Sequence, residues 1–505
     1  MIKIPKINFR NNECFACLGR TRYKDYATDT DNVIYKVKND NFSVTINDID
    51  CEVRECRVSA FPYNRPWPGK QRQYSQTESA GFISFSADES VTLRVKSKKA
   101  FKTASVKPSS KNIKVGIQED EAVFTLSNQG NYVLELDDTH NVLHIFFNHI
   151  KDYPDKDKAT YYYGPGMHFP GIINLRDNDM VYIDEEAIVF GSINSVGAKN
   201  VKIFGGGILD NSCEERVTEN CYENFTKGTF RIYNSENIDV SDIIFTNSST
   251  WVMSMFYCKN INIDNVKIVG HWRYNTDGID IVNSDNVTVR NSFIRSFDDT
   301  ISIKGIYEYD KPIENILIDN CVMWCGWGKN CEIGVETACP EYKNIVFKNC
   351  DLIHNSVAAL TVSNGCNADI HDVLFENINV ELQSCTPCEV VQTEDGKPYD
   401  QNAGTHTPFL ALAYNFPYTI RKRNPDAIEV FEREDRGNIH DVVYRNINVI
   451  CDDKDVKPVV KIRSCDDSVI FKNFVFENIF VNGKKASSFD EFETVFENSE
   501  NITIK

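Results

Sequence analysis

The sequence predicts an all-β protein in which an N-terminal β-sandwich, residues 1–155, precedes a right-handed parallel β-helix, residues 156–505. Three observations favour this fold. Apolar and polar residues alternate through most of the chain, as strands require. From about residue 200, an alternating segment led by Asn or Asp recurs at nearly constant spacing. The first 150 or so residues alternate without that recurrence.

The N-terminal part carries alternating segments that suit an antiparallel sandwich, namely NFSVTIND, SVTLRVKS, AVFTLSN and NYVLELDD. Within it, residues 61–78 are dense in Pro, Trp and Arg, which predicts a rigid exposed loop. The sequence allows two roles for this loop, which are packing between the two domains and contact with a substrate.

The β-helix is predicted by segments such as NIDVSDIIF, NINIDNVKI, NVTVRNSFI, NILIDNCVM and NIVFKNCDL. Between Asn237 and Asp372 their starting positions are 23, 26, 29, 29 and 28 residues apart. A fixed period in this range indicates a stacked repeat, and one coil built of several short strands is typical of a parallel β-helix. A β-propeller would show longer blades and hairpin turns, for which the sequence gives few signals.

The regular spacing breaks between Asp372 and Asp441. The segment 385–438 is too long for a bare turn. A lid or wall beside a cleft is one interpretation, and a side excursion or an oligomer contact is the other. The sequence therefore leaves a homo-oligomer open.

Composition excludes several classes of partner. The net charge of −18 argues against nucleic acid and anionic membranes, and there is no apolar run of 18 residues. The N-terminus shows no export signal and the 17 cysteines are scattered, so we expect reduced thiols and a cytoplasmic location. The pairs Cys14/Cys17 and Cys385/Cys388 lie too far apart for a compact zinc site, and no metal or other cofactor is expected.

Three aspartates form the strongest candidate site. Aligning DGIDIV with DTISIK places Asp277 and Asp299 at equivalent positions of neighbouring coils, about 4.8 Å apart. Asp298 precedes Asp299 and should point in another direction. Aligning NCEIGVET on the next coil places Cys331 with Asp299, so the acids are confined to two coils. Stacked carboxylates destabilise a fold and raise pKa values, so a turn ladder alone does not account for all three.

Glycoside hydrolysis offers a reason for such a cluster. The inverting mechanism needs one protonated acid and one ionised base, with their carboxyl groups roughly 6.5–9.5 Å apart. Asp277 and Asp299 can hold a water between them, while the offset Asp298 carries the proton.

The motifs NTDG at residues 275–278, DD at 298–299 and GWG at 326–328 resemble glycoside hydrolase family 28, the polygalacturonase group. The resemblance covers roughly residues 160–480. The preceding sandwich is similar to the layout of dextranase and isopullulanase. The resemblance implies that Asp298 is the general acid and that Asp277 and Asp299 activate water.

Two departures from the family bear on the substrate. The family usually has GHG, but Trp327 stands here in place of the histidine, and the segment 357–365 lacks the basic residues that bind a galacturonate carboxylate. Trp324, Trp327, Glu332 and Glu336 belong to the corresponding coil, and at least one tryptophan should face the cleft. We therefore expect neutral oligosaccharides as substrates, with uronic-acid pectic fragments as the alternative. Exo cleavage is expected because a cytoplasmic enzyme would meet imported oligosaccharides.

The remaining candidates for substrate binding lie near the acids or on following coils: Arg273, Tyr274, Asn275, Lys304 and His354. Arg273 is the best local group for orienting a carboxylate or hydroxyl, and His354 reaches the cleft or caps a turn. Two other functions stay open. A β-helix polysaccharide lyase can use the three aspartates to bind calcium, and a non-catalytic β-helix can bind glycans.

Overall fold

The structure is a computed structural model that describes residues 1–7, 36–59, 77–216, 228–306, 310–382, 407–415 and 436–505. Outside these ranges it describes only short strands, which are Phe15–Cys17, Arg22–Tyr23, Tyr26–Ala27, Ile34–Lys36, Thr386–Pro387, Thr405–His406, Thr419–Asn424 and Ala427–Glu432. The predictions for the 61–78 loop, the 385–438 segment and the two CxxC pairs therefore fall largely outside the described residues.

Two sheets form the N-terminal sandwich. The first sheet contains Ile2–Lys3, Arg54–Ser59, Thr77–Ala87, Ala104–Lys107, Gly130–Leu136 and Asp138–Asn148. The second contains Phe42–Ile46, Ile49–Cys51, Val91–Ser97, Gly116–Gln118 and Glu121–Leu126. Alternate residues such as Phe85, Leu93 and Phe147 are buried in one core between the sheets.

The alternation predicted an antiparallel sandwich, and one pair of its strands differs from that prediction. Asp138–Asn148 pairs in parallel with Thr77–Ala87. The chain between these two strands crosses to the second sheet and returns, and such a crossover allows a parallel pair.

The second part of the chain is the predicted parallel β-helix. It is one sheet of 31 strands from Tyr161–Tyr163 to Ser499–Ile504. Each strand pairs in parallel with its equivalent on the next coil, and the one antiparallel pairing among the described strands of this sheet joins Lys484–Lys485 to Phe471–Val481. The intervening strands are Gly166–Leu175, Met180–Ile183, Ala187–Val196, Lys199–Gly205, Ile208–Asp210, Phe230–Tyr233, Glu236–Ser241, Ile244–Thr246, Met253–Phe256, Lys259–Asp264, Lys267–Ile268, Ile279–Val282, Asp285–Arg290, Phe293–Ser296, Ile301–Gly305, Ile313–Asp319, Val322–Cys325, Lys329–Thr337, Glu341–Lys348, Asp351–His354, Ala358–Asn364, Asp369–Ile370, Val373–Leu382, Phe409–Asn415, Asn438–Cys451, Val459–Arg463, Phe471–Val481 and Glu493–Glu497.

The asparagine that heads each repeat forms a ladder along the β-helix. The Asn260 amide donates to Asn237 at 3.0 Å, and Asn286 donates to Asn260 at 3.2 Å. Asn315 and Asn344 continue the same pattern at 2.9 and 2.5 Å. All five residues have φ between 54° and 59°, a left-handed conformation that asparagine tolerates better than most residues. The repeat is therefore set by turn chemistry as well as by apolar alternation.

The sandwich packs against one face of the β-helix. Phe82 and Phe146 of the sandwich share an apolar cluster with Phe293, Val322 and Ile353. The strands Phe293–Ser296, Val322–Cys325 and Asp351–His354 thus face the sandwich. The described helical elements are three single turns, at Ser109–Lys111, Lys156–Lys158 and Phe489–Glu491. Within the described ranges, no helix is long and apolar enough to cross a membrane.

Candidate active site

The three aspartates meet at the turns that lead from the sandwich-facing strands into Ile279–Val282 and Ile301–Gly305. These two strands pair with Ile279 opposite Ile301, so Asp277 and Asp299 hold equivalent positions, as predicted. One oxygen from each of Asp277, Asp298 and Asp299 lies within 4.8 Å of the others. Asp277 and Asp298 are buried and Asp299 is half-buried.

The NTDG segment forms a tight turn for identifiable reasons. Asn275 has a φ of 55°, and the Thr276 hydroxyl donates to the Arg273 carbonyl at 2.7 Å. At Gly278, a Cβ atom would lie 2.4 Å from the Thr300 carbonyl oxygen of the next coil. Only glycine allows the coils to approach this closely, and their approach brings the aspartates together.

Lys304 forms an ion pair with Asp277. Its ammonium group donates to Asp277 Oδ2 at 2.9 Å and lies 2.7 Å from Asp280 Oδ1. It also lies over the Trp251 ring, 4.0 Å from the centroid. Burial raises the pKa of Asp277 to about 6, and the Lys304 charge opposes that rise. The contact with Lys304 thus favours the ionised form of Asp277. The described contacts of Lys304, which was predicted to bind substrate, go to the protein's own carboxylates.

Asp298 has the environment of a proton donor. Its Oδ1 accepts the Asp299 backbone N–H at 3.0 Å, and its Oδ2 accepts the Asn275 amide at 3.4 Å. Burial and the neighbouring charges of Asp277 and Asp299 raise its pKa well above the ordinary value. Asp299 is held differently, because its Oδ1 accepts the Lys329 backbone N–H at 2.8 Å. The two adjacent carboxyl groups therefore have different hydrogen-bond partners.

The GWG turn closes the site. At Gly328, a Cβ atom would lie 2.3 Å from Asp299 Oδ1 and 2.7 Å from Asp298 Oδ1. Trp327 is half-buried and its ring lies 5.7 Å from that of Tyr274 and 5.8 Å from that of Phe297. An aromatic cluster consequently adjoins the acids, and it contains two of the predicted binding residues.

Trp324 lies on the other side of the coil. The Arg295 guanidinium lies over its ring, 3.5 Å from the ring centroid, and the His354 ring lies 4.1 Å away at a tilt of 43°. His354 Nε2 bonds to Glu135 of the sandwich at 2.5 Å. The expectation that His354 reaches the cleft is wrong, because its strand faces the sandwich.

The coil after the acids is shifted relative to the predicted alignment. Cys331 pairs with Ile301 and Glu332 with Ser302, so the alignment of Cys331 with Asp299 was wrong by two residues. A two-residue shift keeps every side chain on the same face, and alternation alone does not detect it. Glu332 is buried, lies 3.1 Å from Lys329 Nζ, and has its pKa raised by burial to about 7.

The other predicted binding residues have mixed positions. Glu336 is half-buried and close enough to Lys304 to favour its charged form. Arg273 is buried, and its guanidinium donates to the Ser212 carbonyl at 3.5 Å and lies 5.4 Å from the centroid of the Trp272 ring.

Sequence reasoning missed Asp280, Lys329 and Arg216. Asp280 and Glu332 lie on the coils before and after Ser302, and both pair with it. The alternation in NTDGIDIV was the available signal that Asp280 shares this face of the coil. Lys329 follows GWG directly, but only the structure shows that its backbone binds Asp299. Arg216 lies far from the motifs in sequence, so no local signal marks it.

Comparison with known proteins agrees with this geometry. The family model described as Glycosyl hydrolases family 28 matches residues 163–410, which include all three aspartates. This segment, just under half of the chain, is similar to family 28. The chain is 27% identical over 147 residues to the probable rhamnogalacturonase A of Aspergillus oryzae, covering 29% of this chain and 30% of that protein.

Two further comparisons are with a plant relative and with a solved structure. It is 27% identical over 164 residues to the exopolygalacturonase clone GBGE184 of Arabidopsis thaliana, covering 31% of this chain and 36% of that protein. The alignments thus span about a third of these relatives' lengths. The solved structure of Dex49A from Penicillium minioluteum superposes with a TM-score of 0.62 at 12% identity, covering 99% of this chain and 100% of that one. That likeness shows that the two chains share a fold.

Proposed function

We propose that this protein is a glycoside hydrolase that uses Asp298 as general acid and Asp277 with Asp299 to activate water. The observation that carries the proposal is the cluster of three carboxyl groups within 4.8 Å, which the fold holds in different environments. Asp298 is favoured in its protonated form by burial and by two neighbouring charges, while Lys304 supports the ionised form of Asp277. Such a division of two states between neighbouring carboxyls is what acid–base hydrolysis requires.

The reaction follows from these roles. Asp298 gives its proton to the glycosidic oxygen as the bond from that oxygen to the anomeric carbon breaks. Asp277 and Asp299 accept a proton from the water whose oxygen attacks the same carbon. The closest carboxyl oxygens are nearer than the roughly 6.5–9.5 Å that inverting enzymes show between carboxyl groups. Inversion therefore stays a prediction, and the anomer released first decides it.

The substrate class that we propose is a pectic glycan. The support is the pair of relatives whose names are rhamnogalacturonase and exopolygalacturonase.

A specific observation favours the second candidate, a neutral glycoside. The two lysines nearest the acids are already paired, Lys304 with Asp277 and Asp280 and Lys329 with Glu332. A uronate in contact with this site would need a further cation. Exo action and a cytoplasmic location also remain proposals.

One assay separates the candidates. Rhamnogalacturonan oligosaccharides, oligogalacturonides and the matching neutral galactosides are each incubated with the enzyme, and proton NMR follows the anomer first released. Faster cleavage of the pectic substrates supports the first candidate, and faster cleavage of the galactosides supports the second. Release of single sugars from chain ends indicates exo action. The double variant Asp277→Asn/Asp298→Asn is the control for contaminating activity.

The same samples test the lyase interpretation. Hydrolysis predicts turnover that is unchanged by chelators, no unsaturated product absorbing in the ultraviolet, and one oxygen from solvent at the new anomeric hydroxyl for each bond cleaved. Loss of activity on chelation together with an unsaturated product would contradict the proposed reaction.

A further inference from the structure

Arg216 lies beside the NTDG turn. It is fully buried, and its guanidinium donates to the Ser249 carbonyl at 3.3 Å and to the Tyr274 carbonyl. A third donation goes to the side-chain oxygen of Asn275 at 3.3 Å. The guanidinium also lies over the Tyr274 ring, 5.8 Å from its centroid. Arg216 therefore ties together the backbone and the side chain of the turn that carries Asp277.

The orientation of the Asn275 amide follows from this contact. A guanidinium only donates hydrogen bonds, so the atom of Asn275 that faces Arg216 is its oxygen. The amide nitrogen must then point away, and it donates to Asp298 Oδ2 at 3.4 Å. The chain of contacts runs from Arg216 through Asn275 to the general acid.

We propose that Arg216 is a positioning residue that fixes the Asn275 amide so that Asp298 receives an N–H donor and releases its proton readily. The proposal rests on the proposed function for the role of Asp298. A donor to a carboxyl oxygen favours the ionised form, whereas an amide oxygen in the same place favours the protonated form. The direction of one amide thus changes how easily the acid gives up its proton.

Other groups also act on Asp298. Asp277 and Asp299 favour its protonated form and Lys304 its ionised form. The Cys325 thiol donates to the Asp298 backbone carbonyl at 3.4 Å. A substitution at Arg216 removes none of these groups, so they are present in the variant as in the wild type.

The test is the pH dependence of kcat/KM in Arg216→Met. Activity requires protonated Asp298 and falls as pH rises through its pKa. Without the guanidinium the amide is free to turn its oxygen toward Asp298. The alkaline limb should then move to higher pH by about one unit. At the pH optimum kcat should fall roughly 10- to 100-fold, since the acid is no longer held in one geometry.

Two further variants keep the test decisive. Asn275→Gly keeps the left-handed backbone and deletes the amide, so its alkaline limb should move in the same direction with Arg216 intact. Arg295→Met is the matched control, because Arg295 is also buried but stacks on Trp324 and contacts His144 at the sandwich. Its variant should lose stability and keep the wild-type limb.

A second readout does not need a substrate. The carboxyl ¹³C signal of Asp298, assigned by its loss in Asp298→Asn, should titrate at higher pH in Arg216→Met than in the wild type. If the wild type cleaves no glycoside but this shift appears, the proposed function fails and the positioning role stands. If folded Arg216→Met and Asn275→Gly both keep the wild-type limb and titration, the positioning role is overturned.

Discussion

Gly328 offers a direct test of how closely the site is packed. A methyl group at this position would lie 2.3 Å from Asp299 Oδ1 and 2.7 Å from Asp298 Oδ1. Normal contact between non-bonded atoms begins near 3.5 Å, so in Gly328→Ala the Asp299 carboxyl must move by about 1 Å. A displacement of that size costs roughly 100-fold in turnover when the group takes part in the reaction. We expect this loss in kcat/KM on the best glycan substrate.

Gly326→Ala is the matched control in the same turn. Its added methyl group would lie 3.2 Å from the Ser296 and Phe297 carbonyl oxygens, and no carboxyl group is among its nearest atoms. This variant should keep kcat/KM within about threefold of wild type, because small adjustments relieve contacts of that length. Thermal unfolding followed by circular dichroism confirms that both variants are folded. Wild-type activity in Gly328→Ala, or equal losses in the two variants, would refute the packing argument.

Three further predictions follow from the charges and ladders. Lys304→Met removes the cation that opposes the raised pKa of Asp277, so the acid limb of the kcat/KM profile should move to higher pH; an unmoved limb contradicts the role of Lys304. The pKa of Glu332 is raised to about 7 in the folded state, so its contribution to stability is present below pH 4 and is lost as pH rises through 7. The fall in unfolding temperature from pH 4.5 to 7.5 should therefore be smaller in Glu332→Gln, as calorimetry can check, and an equal fall would contradict this. Asn286→Ala removes two ladder bonds and strains a φ of 55°, so it should lower the unfolding free energy by about 2 kcal/mol, and Asn286→Gly by less, in urea titrations. Equal stability of the alanine variant and wild type would refute the ladder's contribution.

The repeat and the aspartate pair were predictable from the sequence because both depend on local rules. Period-two alternation and an asparagine at each turn are visible in the sequence, and a β-helix places equal positions of neighbouring coils together. Asp277 and Asp299 follow from one correct alignment of adjacent strands. The register of Glu332 does not, because a shift of two residues preserves the alternation that was used to align it.

Contacts between distant parts of the chain were beyond sequence reasoning. His354 bonds to Glu135, which lies in another domain and has no sequence signal that links it to His354. The partner of Lys304 was not evident either, since its ammonium group is shared between Asp277 and Asp280. Arg216 reaches the site through the fold alone. These contacts decide which side chains are available to a substrate, and motif matching does not show them.

The most direct test of the central claim compares Asp298→Asn with wild type on two substrates that differ in their leaving group. A general acid matters most when the departing oxygen needs a proton. Turnover of an oligosaccharide should therefore fall roughly 10²- to 10⁴-fold in the variant, whereas an aryl glycoside with a nitrophenolate leaving group should lose far less. Equal losses on both substrates, or a variant that cleaves the oligosaccharide at the wild-type rate, would contradict the assignment of Asp298 as the proton donor.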